Sequence, residues 1–409
     1  MLPSSTRFLL GRWRYRLLSP PSLARAGCLH QTKLLSSSFE RRFHASSNGL
    51  RIEEKPAASY NPKYEYIEEC EELERYCPGG YHPVKLGDQL CNGRYSVAQM
   101  LGHGGSSTVW LASDKIQQTL VAVKIKTADS DDQEEDITAQ LHDMPSIRRL
   151  EDVFVEQDIH AGNILLRLPE DTRRITDTAT INQRFGSSFR EPIVRRDRLP
   201  LEVGVPTHVV GLASLFVRSD EITDSHLPIL LSDFTSSYCP SKTRQILSRT
   251  LPHIVPPEAF FIDKHNEKET LSFPSEIWTL ACTVFDIFGS GGPFSVMGGG
   301  ILQDQACALG KFPEPWWSQW EERAEFFIED GTSIEFPNSR DRIEDRYDWF
   351  VTATRRRYEM AYPEEDEKKA FLEMIRPMLR YVPSERASIQ DVIDSEWMQE
   401  WALPCRRPK

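Results

Sequence analysis

The chain has 409 residues, 39% of them hydrophobic and 27% charged, enough for one large two-lobed domain or two ordinary ones with a buried core, and in composition a soluble globular protein. Its formal net charge of −12 is unevenly spread: residues 1–51 hold nine basic residues and one acid, and the rest holds 40 basic against 60 acidic residues. An acidic body argues against binding nucleic acid through its general field and is compatible with a basic protein or peptide partner, as it is with a merely solubilising surface.

Eight cysteines are scattered without a CxxC pair, which argues against a zinc site or a dense disulfide framework. The longest apolar stretches fall well short of the ~20 residues a membrane helix needs. Residues 1–51, rich in Arg and Ser and without an acid before Glu40, have the composition of a mitochondrial transit peptide, or equally of a disordered basic tail. Residues 52–80 read as a polar linker that begins to pack near Tyr81.

From there the pattern turns to strands. RYSVAQML and STVWLAS read as two strands joined by the glycine-rich turn GHGG, and TLVAVKIK as a third, β-branched strand. Residues 129–143, DSDDQEEDITAQLHD, read as a helix whose acidic first turn complements its dipole. QDIHAGNILL, 157–166, reads as a short loop entering a strand, and 167–228 as a long loop-like segment. SEIWTLACTVFDIFG, from Ser275, is apolar on nearly all faces, the pattern of a buried helix. Amphipathic patterns at 369–382 and 388–402 extend a helical C-terminal half.

Four short stretches carry chemistry. In LGHGGSSTVW, Gly102 and Gly104 allow a backbone turn to approach phosphates closely, although a plain hairpin explains the pattern as well. Lys124, in VAVK on the following strand, is placed to reach phosphates. Asp158 in the loop before Ile164 suits a base for a hydroxyl nucleophile, and the Asn163 amide oxygen suits Mg²⁺. Asp233, after the apolar run of ILLSDFTSS, suits a metal that bridges phosphates.

In this order the motifs resemble the eukaryotic protein kinase family over residues 80–402. GHGGSSTVW resembles its glycine-rich loop, VAVK its strand lysine, DIHAGN its catalytic loop and DFT its metal-binding triplet. VPPEAFF, with Glu258, resembles the close of the activation segment, and PSERAS supplies Arg386 as the partner of Glu258. ALGKFPEPWWSQWEERAEFF is similar to the SR-protein kinase branch, whose members phosphorylate Arg/Ser-rich splicing proteins.

The resemblance implies an α+β, bilobal protein-kinase-like fold, with a small antiparallel N-lobe (81–145), a larger helical C-lobe (150–402) and a tail at 403–409. It implies ATP and Mg²⁺ as cofactors. Leu101, Gly102, Gly104 and Val109 would cover ATP, and Lys124, paired with Glu135, would hold the α- and β-phosphates. Asp158 would orient and deprotonate the serine, with His160 facing the γ-phosphate, and Asn163 and Asp233 would bind Mg²⁺. Catalysis would be positioning plus charge neutralisation. The resemblance implies a protein substrate, Arg/Ser-rich in the SR-protein kinase branch, no direct nucleic acid or membrane contact, and a monomeric enzyme of cytoplasm or nucleus.

DIHAGNIL also resembles small-molecule phosphotransferases of kinase-like architecture, but these have no place for the PPE, GKFP–WW and PSERAS stretches. Departures from the kinase pattern are Thr235 in place of a Gly, Glu156–Gln157 ahead of Asp158, and Glu276 in place of an Asp. Without an Arg before Asp158, activation by loop phosphorylation has no usual anchor. The largest departure is length. Only the 33 residues 125–157 separate Lys124 from Asp158, where three helices, two strands and an interlobe hinge call for roughly 70. This reads as an internal deletion, from a skipped exon or in a degenerate, non-catalytic relative that binds partners, and it predicts bared apolar surface on the helix at 275–289.

Overall fold

A computed structural model describes residues 62–68, 70–130, 161–165, 170–186, 188–213, 230–231, 238, 243–248, 250–263, 265–266, 268–295, 300–334 and 341–404. The acidic helix expected at 129–143 lies mostly outside them.

A four-stranded antiparallel sheet comes first, formed by β1 (Gln89–Leu90), β2 (Tyr95–Gly104), β3 (Ser107–Asp114) and β4 (Thr119–Lys126) in sequence order. The meander follows from the period-two patterning of these β-branched and aromatic segments. Two register shifts in β2, at Val97/Gln99 and Met100/Gly102, re-aim its side chains. On one face Ala98, Leu101, Leu111, Leu120 and Ala122 form a buried cluster, with Val109 packed at its edge. On the other, Val97, Met100 and Trp110 pack with Val84 and Val210. The β3–β4 hairpin is fastened by Asp114, whose carboxylate accepts from the Arg94 guanidinium at 2.8 Å and from the Ile116 N–H at 2.8 Å.

Both faces of the sheet are closed by chain from elsewhere. β5 (Ile164–Leu165) follows a turn at Ala161–Asn163. The segment after it, expected to be loop-like throughout 167–228, instead holds α1 (Glu170–Arg173), α2 (Thr178–Phe185), β6 (Arg190–Pro192) and β7 (His208–Val210). Ile181 and Phe185 of α2, four residues apart on one helical face, insert into the first cluster. β6 and β7 pair with each other, and the Ala213 N–H donates to the Met100 carbonyl at 2.7 Å, so this segment also extends the sheet edge. The stretch read as a linker contributes as well. Tyr64, Ile67, Leu73 and Tyr76 are buried with Tyr81, Ile193 and Val209.

β8 (Leu230–Leu231) pairs antiparallel with β5. The helical region begins with α3 (Phe273–Phe288), where the Ser272 N–H donates to Ser275 Oγ at 3.1 Å and Pro274 sits in the first turn. Trp278, Ala281, Cys282 and Phe285 are fully buried there. Around α3 pack α4 (Ile301–Leu309), α6 (Ile343–Tyr347) and α8 (Glu365–Met378), with α5 (Trp316–Gln319), α7 (Thr354–Arg357) and α9 (Ile389–Ile393) at the periphery. α8 has three acids in its first turn and Arg376 in its last, as its dipole favours. The buried helix expected at 275–289 is thus present but is not covered all round: Ile287 is 51% exposed, and Leu280 and Val284 on the same face are half-buried. An antiparallel sheet followed by a helical region is the kinase-like α+β architecture expected from the motifs.

Candidate active site

The glycine-rich stretch is a tight hairpin. Gly104 stands opposite Ser107, leaving Gly105 and Ser106 as the turn. Gly102 is opposite Val109, and Val109 is opposite Lys124. Residues directly opposite in an antiparallel ladder point to the same face. The hairpin glycine, the valine and the strand lysine therefore form one row across three strands, two residues along from Ala122. Lys124 is half-buried in this row.

The turn is held from outside by its carbonyls. The Tyr81 hydroxyl donates to the Gly104 carbonyl at 2.7 Å, the Arg75 guanidinium donates to the Gly105 carbonyl, and the Thr127 N–H donates to the Ser106 carbonyl at 2.8 Å. Arg75 also grips both carboxylate oxygens of Asp129 at 3.0 and 2.9 Å. Burial raises the Tyr81 hydroxyl above its ordinary pKa against the opposing charge of Arg75, so it stays a donor. The Asp129 carboxyl is lowered, first by the Thr127 hydroxyl and then by the Arg75 charge.

Further into the sheet, the same face is filled. Leu101 and Val109 lie against Ile181, which is fully buried, and Phe185. α2 is anchored there by polar contacts. Its first turn is capped by Asp177, which accepts from the Thr180 N–H at 2.8 Å. Gln99 Nε2 donates to Asn182 Oδ1 at 3.2 Å and to the Gly186 carbonyl at 2.6 Å, and Ser113 Oγ donates to the Thr176 carbonyl at 2.9 Å.

Asn163 closes the turn before β5 and is buried, 3% exposed, with that turn against α3. Ile164 pairs with Leu231, so Asn163 stands at the end of the β5–β8 ladder. Asp233 itself, Asp158, His160 and Glu135 lie outside the described residues. The residues present thus fit a phosphate at the hairpin end, where Gly102, Gly104 and Lys124 gather. They do not leave the face of Leu101 and Val109 open, because α2 covers it.

The Glu258–Arg386 pair expected from the motifs is formed. Two parallel bonds join the side chains at 2.8 and 2.6 Å, Ser275 Oγ donates to Glu258 at 2.8 Å, and the guanidinium also donates to the carbonyls of Pro274, Arg380 and Tyr381. The guanidinium lies over the Trp278 ring, 5.1 Å from its centroid. This pair ties the segment before α3 to the one before α9.

Sequence reasoning missed Arg75, Tyr81, Ile181 and Phe185. The i, i+4 spacing of Ile181 and Phe185 behind Asp177, with Thr180 three residues after it, was a usable helix signal. Nothing local pointed from Arg75 or Tyr81 to the hairpin.

No family model matches the chain. SRSF protein kinase 3 of Homo sapiens is 53% identical over 58 residues, 14% of this chain and 10% of that protein. Serine/threonine-protein kinase SKY1 of Saccharomyces cerevisiae is 48% identical over 59 residues, 14% of this chain and 8% of that protein. Protein kinase dsk1 of Schizosaccharomyces pombe is 40% identical over 82 residues, 19% of this chain and 15% of that protein. The matched segments therefore span about a tenth of these relatives' own length. A solved kinase-domain crystal structure aligns over 78% of this chain and 98% of its own with a TM-score of 0.42 at 12% identity, and the fold rests here on the sheet and helices themselves. Over these short segments the chain is similar to protein kinases, among them SRSF protein kinase 3, SKY1 and dsk1.

Proposed function

We propose that the chain is a serine/threonine protein kinase of the SR-protein kinase type, transferring the γ-phosphate of ATP to serine in a basic, Arg/Ser-rich protein substrate. The observation that carries this reading is the cross-strand row Gly102–Val109–Lys124 at the glycine-rich hairpin. In such a cleft Lys124 neutralises phosphate charge and the hairpin backbone lies along the phosphates. Asp158 orients and deprotonates the serine hydroxyl. Asn163 and Asp233 are the residues that would hold Mg²⁺, which would supply neutralisation of phosphate charge. The acidic body favours a basic substrate over nucleic acid. Full-length protein is expected to phosphorylate an Arg/Ser peptide with ATP and Mg²⁺, and Asp158→Ala to abolish it. Absence of turnover from folded full-length protein would overturn the reading.

A second reading, a non-catalytic binding module, is favoured by one observation: Ile181 and Phe185 occupy the face of Leu101 and Val109. Thermal-shift titration with Mg-ATP separates the two. A nucleotide-binding kinase gains about 2.7 kcal/mol at a ligand concentration a hundred times its Kd, and a binding module with a closed cleft gains none.

A further inference from the structure

We propose that Arg75 and Tyr81 are positioning residues of the glycine-rich hairpin, fixing its tip in the conformation that receives phosphate. The proposal deepens, and rests on, the reading of this hairpin as a phosphate cradle.

A phosphate is bound by backbone N–H groups and repelled by carbonyl oxygens. A glycine-rich tip has little intrinsic preference between conformations that present one or the other. In this chain three consecutive tip carbonyls, those of Gly104, Gly105 and Ser106, are each engaged by a donor from outside the hairpin: the Tyr81 hydroxyl, the Arg75 guanidinium and the Thr127 N–H. Engaged there, these oxygens cannot rotate toward a bound phosphate without losing a partner. Two of the three bonds come from one short turn ahead of the sheet.

That turn is itself built to hold the two side chains together. The Tyr81 N–H donates to the Arg75 carbonyl at 2.8 Å, and the Gly80 N–H to the Cys77 carbonyl at 2.9 Å. A Cβ on Gly80 would fall 1.9 Å from the Arg75 carbonyl oxygen, so only glycine closes the turn. Gly79, at φ +92°, turns its carbonyl to the Asp129 N–H at 2.8 Å, and the Gly80 carbonyl accepts from the Ala128 N–H at 3.2 Å. The guanidinium of Arg75 lies over the Tyr81 ring, 5.4 Å from its centroid, while one of its terminal nitrogens donates to both carboxylate oxygens of Asp129. The chain leaving β4 therefore fixes Arg75, and Arg75 and Tyr81 fix the hairpin tip. Because Lys124 lies on β4 itself, the same contacts set the tip relative to the lysine.

Hydrogen exchange on the nucleotide-free, full-length protein tests the clamp directly. Tyr81→Phe removes one hydroxyl and leaves the ring packed; Arg75→Gln removes the charge and the fork. Each is expected to speed exchange across residues 102–108 about tenfold, the scale of one hydrogen bond to a charged or buried donor, with no change in α3. Unchanged exchange at 102–108 in both variants would overturn the proposal. Calorimetric titration with Mg-ATP then reads the cradle: the variants are expected to bind three- to tenfold more weakly than wild type. Equal affinity despite a loosened tip would overturn the positioning role. A wild type that binds no Mg-ATP, with a tip that still loosens in the variants, supports the clamp and overturns the kinase reading instead.

Discussion

The helical region and the sheet are stabilised in different ways. In the helical region, residues between 254 and 398 cover one another, and Trp278, Phe285, Phe371 and Met378 are fully buried by neighbours from the same stretch. The sheet, by contrast, takes the cover for both faces from outside its own span: Ile181 and Phe185 on one side, Val84, Val210 and Leu212 on the other. A sheet that depends on distant chain is only as closed as that chain is docked. Here the docked helix lies on the face that the motifs assign to a nucleotide, so the stability of the sheet and access to its cleft are one physical question.

The sharpest way to break this comparison is within the helical region. Arg386 is fully buried and five acceptors surround its guanidinium. Arg386→Met leaves the Glu258 carboxylate buried without its counter-charge, a loss of about 3–5 kcal/mol. Glu258→Leu with Arg386→Met is expected to recover most of that loss, since both desolvation costs vanish together. Urea unfolding of the single and double variants checks it. If the regions are coupled only through docking, the sheet's own transition will not move.

Phe185→Ala is the matching test on the sheet side. A buried phenylalanine replaced by alanine costs about 3–4 kcal/mol through lost transfer energy and the cavity left behind. The loss is expected in the sheet alone, read as faster hydrogen exchange in β2–β4 with α3 unaffected. A uniform loss over both regions would show that they unfold as one unit and would end the distinction drawn above.

What the sequence made legible follows the same divide. The α3 segment was visible because a continuous apolar pattern needs no partner to be recognised, and Glu258 with Arg386 because each sits in a motif. The hairpin row was visible because Gly102, Val109 and Lys124 lie on adjacent strands of a meander, whose pairing is set by short turns. Cover from far along the chain was not visible. TATINQRF shows only three apolar residues in eight, one of them an alanine, too few to outweigh the polar, proline- and arginine-rich stretch around it. The buried Tyr64 and Tyr76 looked like linker for the same reason: their partners Ile193 and Val209 are over a hundred residues away.

A smaller effect concerns acid. Asp114 has its carboxyl held below the usual carboxylate range, first by its bond with Arg94 and then, against the cost of burial, by the Gln117 and Ile116 N–H groups. A group whose folded pKa is depressed stabilises the fold above its unfolded pKa, near 4, and loses that contribution as pH falls through the folded value. Asp114→Asn is therefore expected to lower Tm at pH 7, with the gap from wild type closing below about pH 4. Persistence of the full gap at pH 3 would show that packing of the hairpin, and not the charge pair, is what the substitution removes.

The smallest change gives the clearest sign. Asp177 is exposed, and its carboxylate caps α2 by accepting the Thr180 N–H. Asp177→Ala removes that cap and weakens α2 without touching Ile181, Phe185, Lys124 or the hairpin. If α2 merely completes the sheet, nucleotide affinity will be unchanged or will fall with stability. If Mg-ATP needs the face of Leu101 and Val109, only the fraction of molecules with α2 lifted is competent, and apparent affinity scales with that fraction. The variant is then expected to melt earlier in the absence of ligand and yet to bind Mg-ATP up to about fivefold more tightly, the factor by which losing a cap shifts a docking equilibrium. Stability and affinity moving in opposite directions cannot come from general loosening, because loosening the sheet would also disorder the row that carries Lys124.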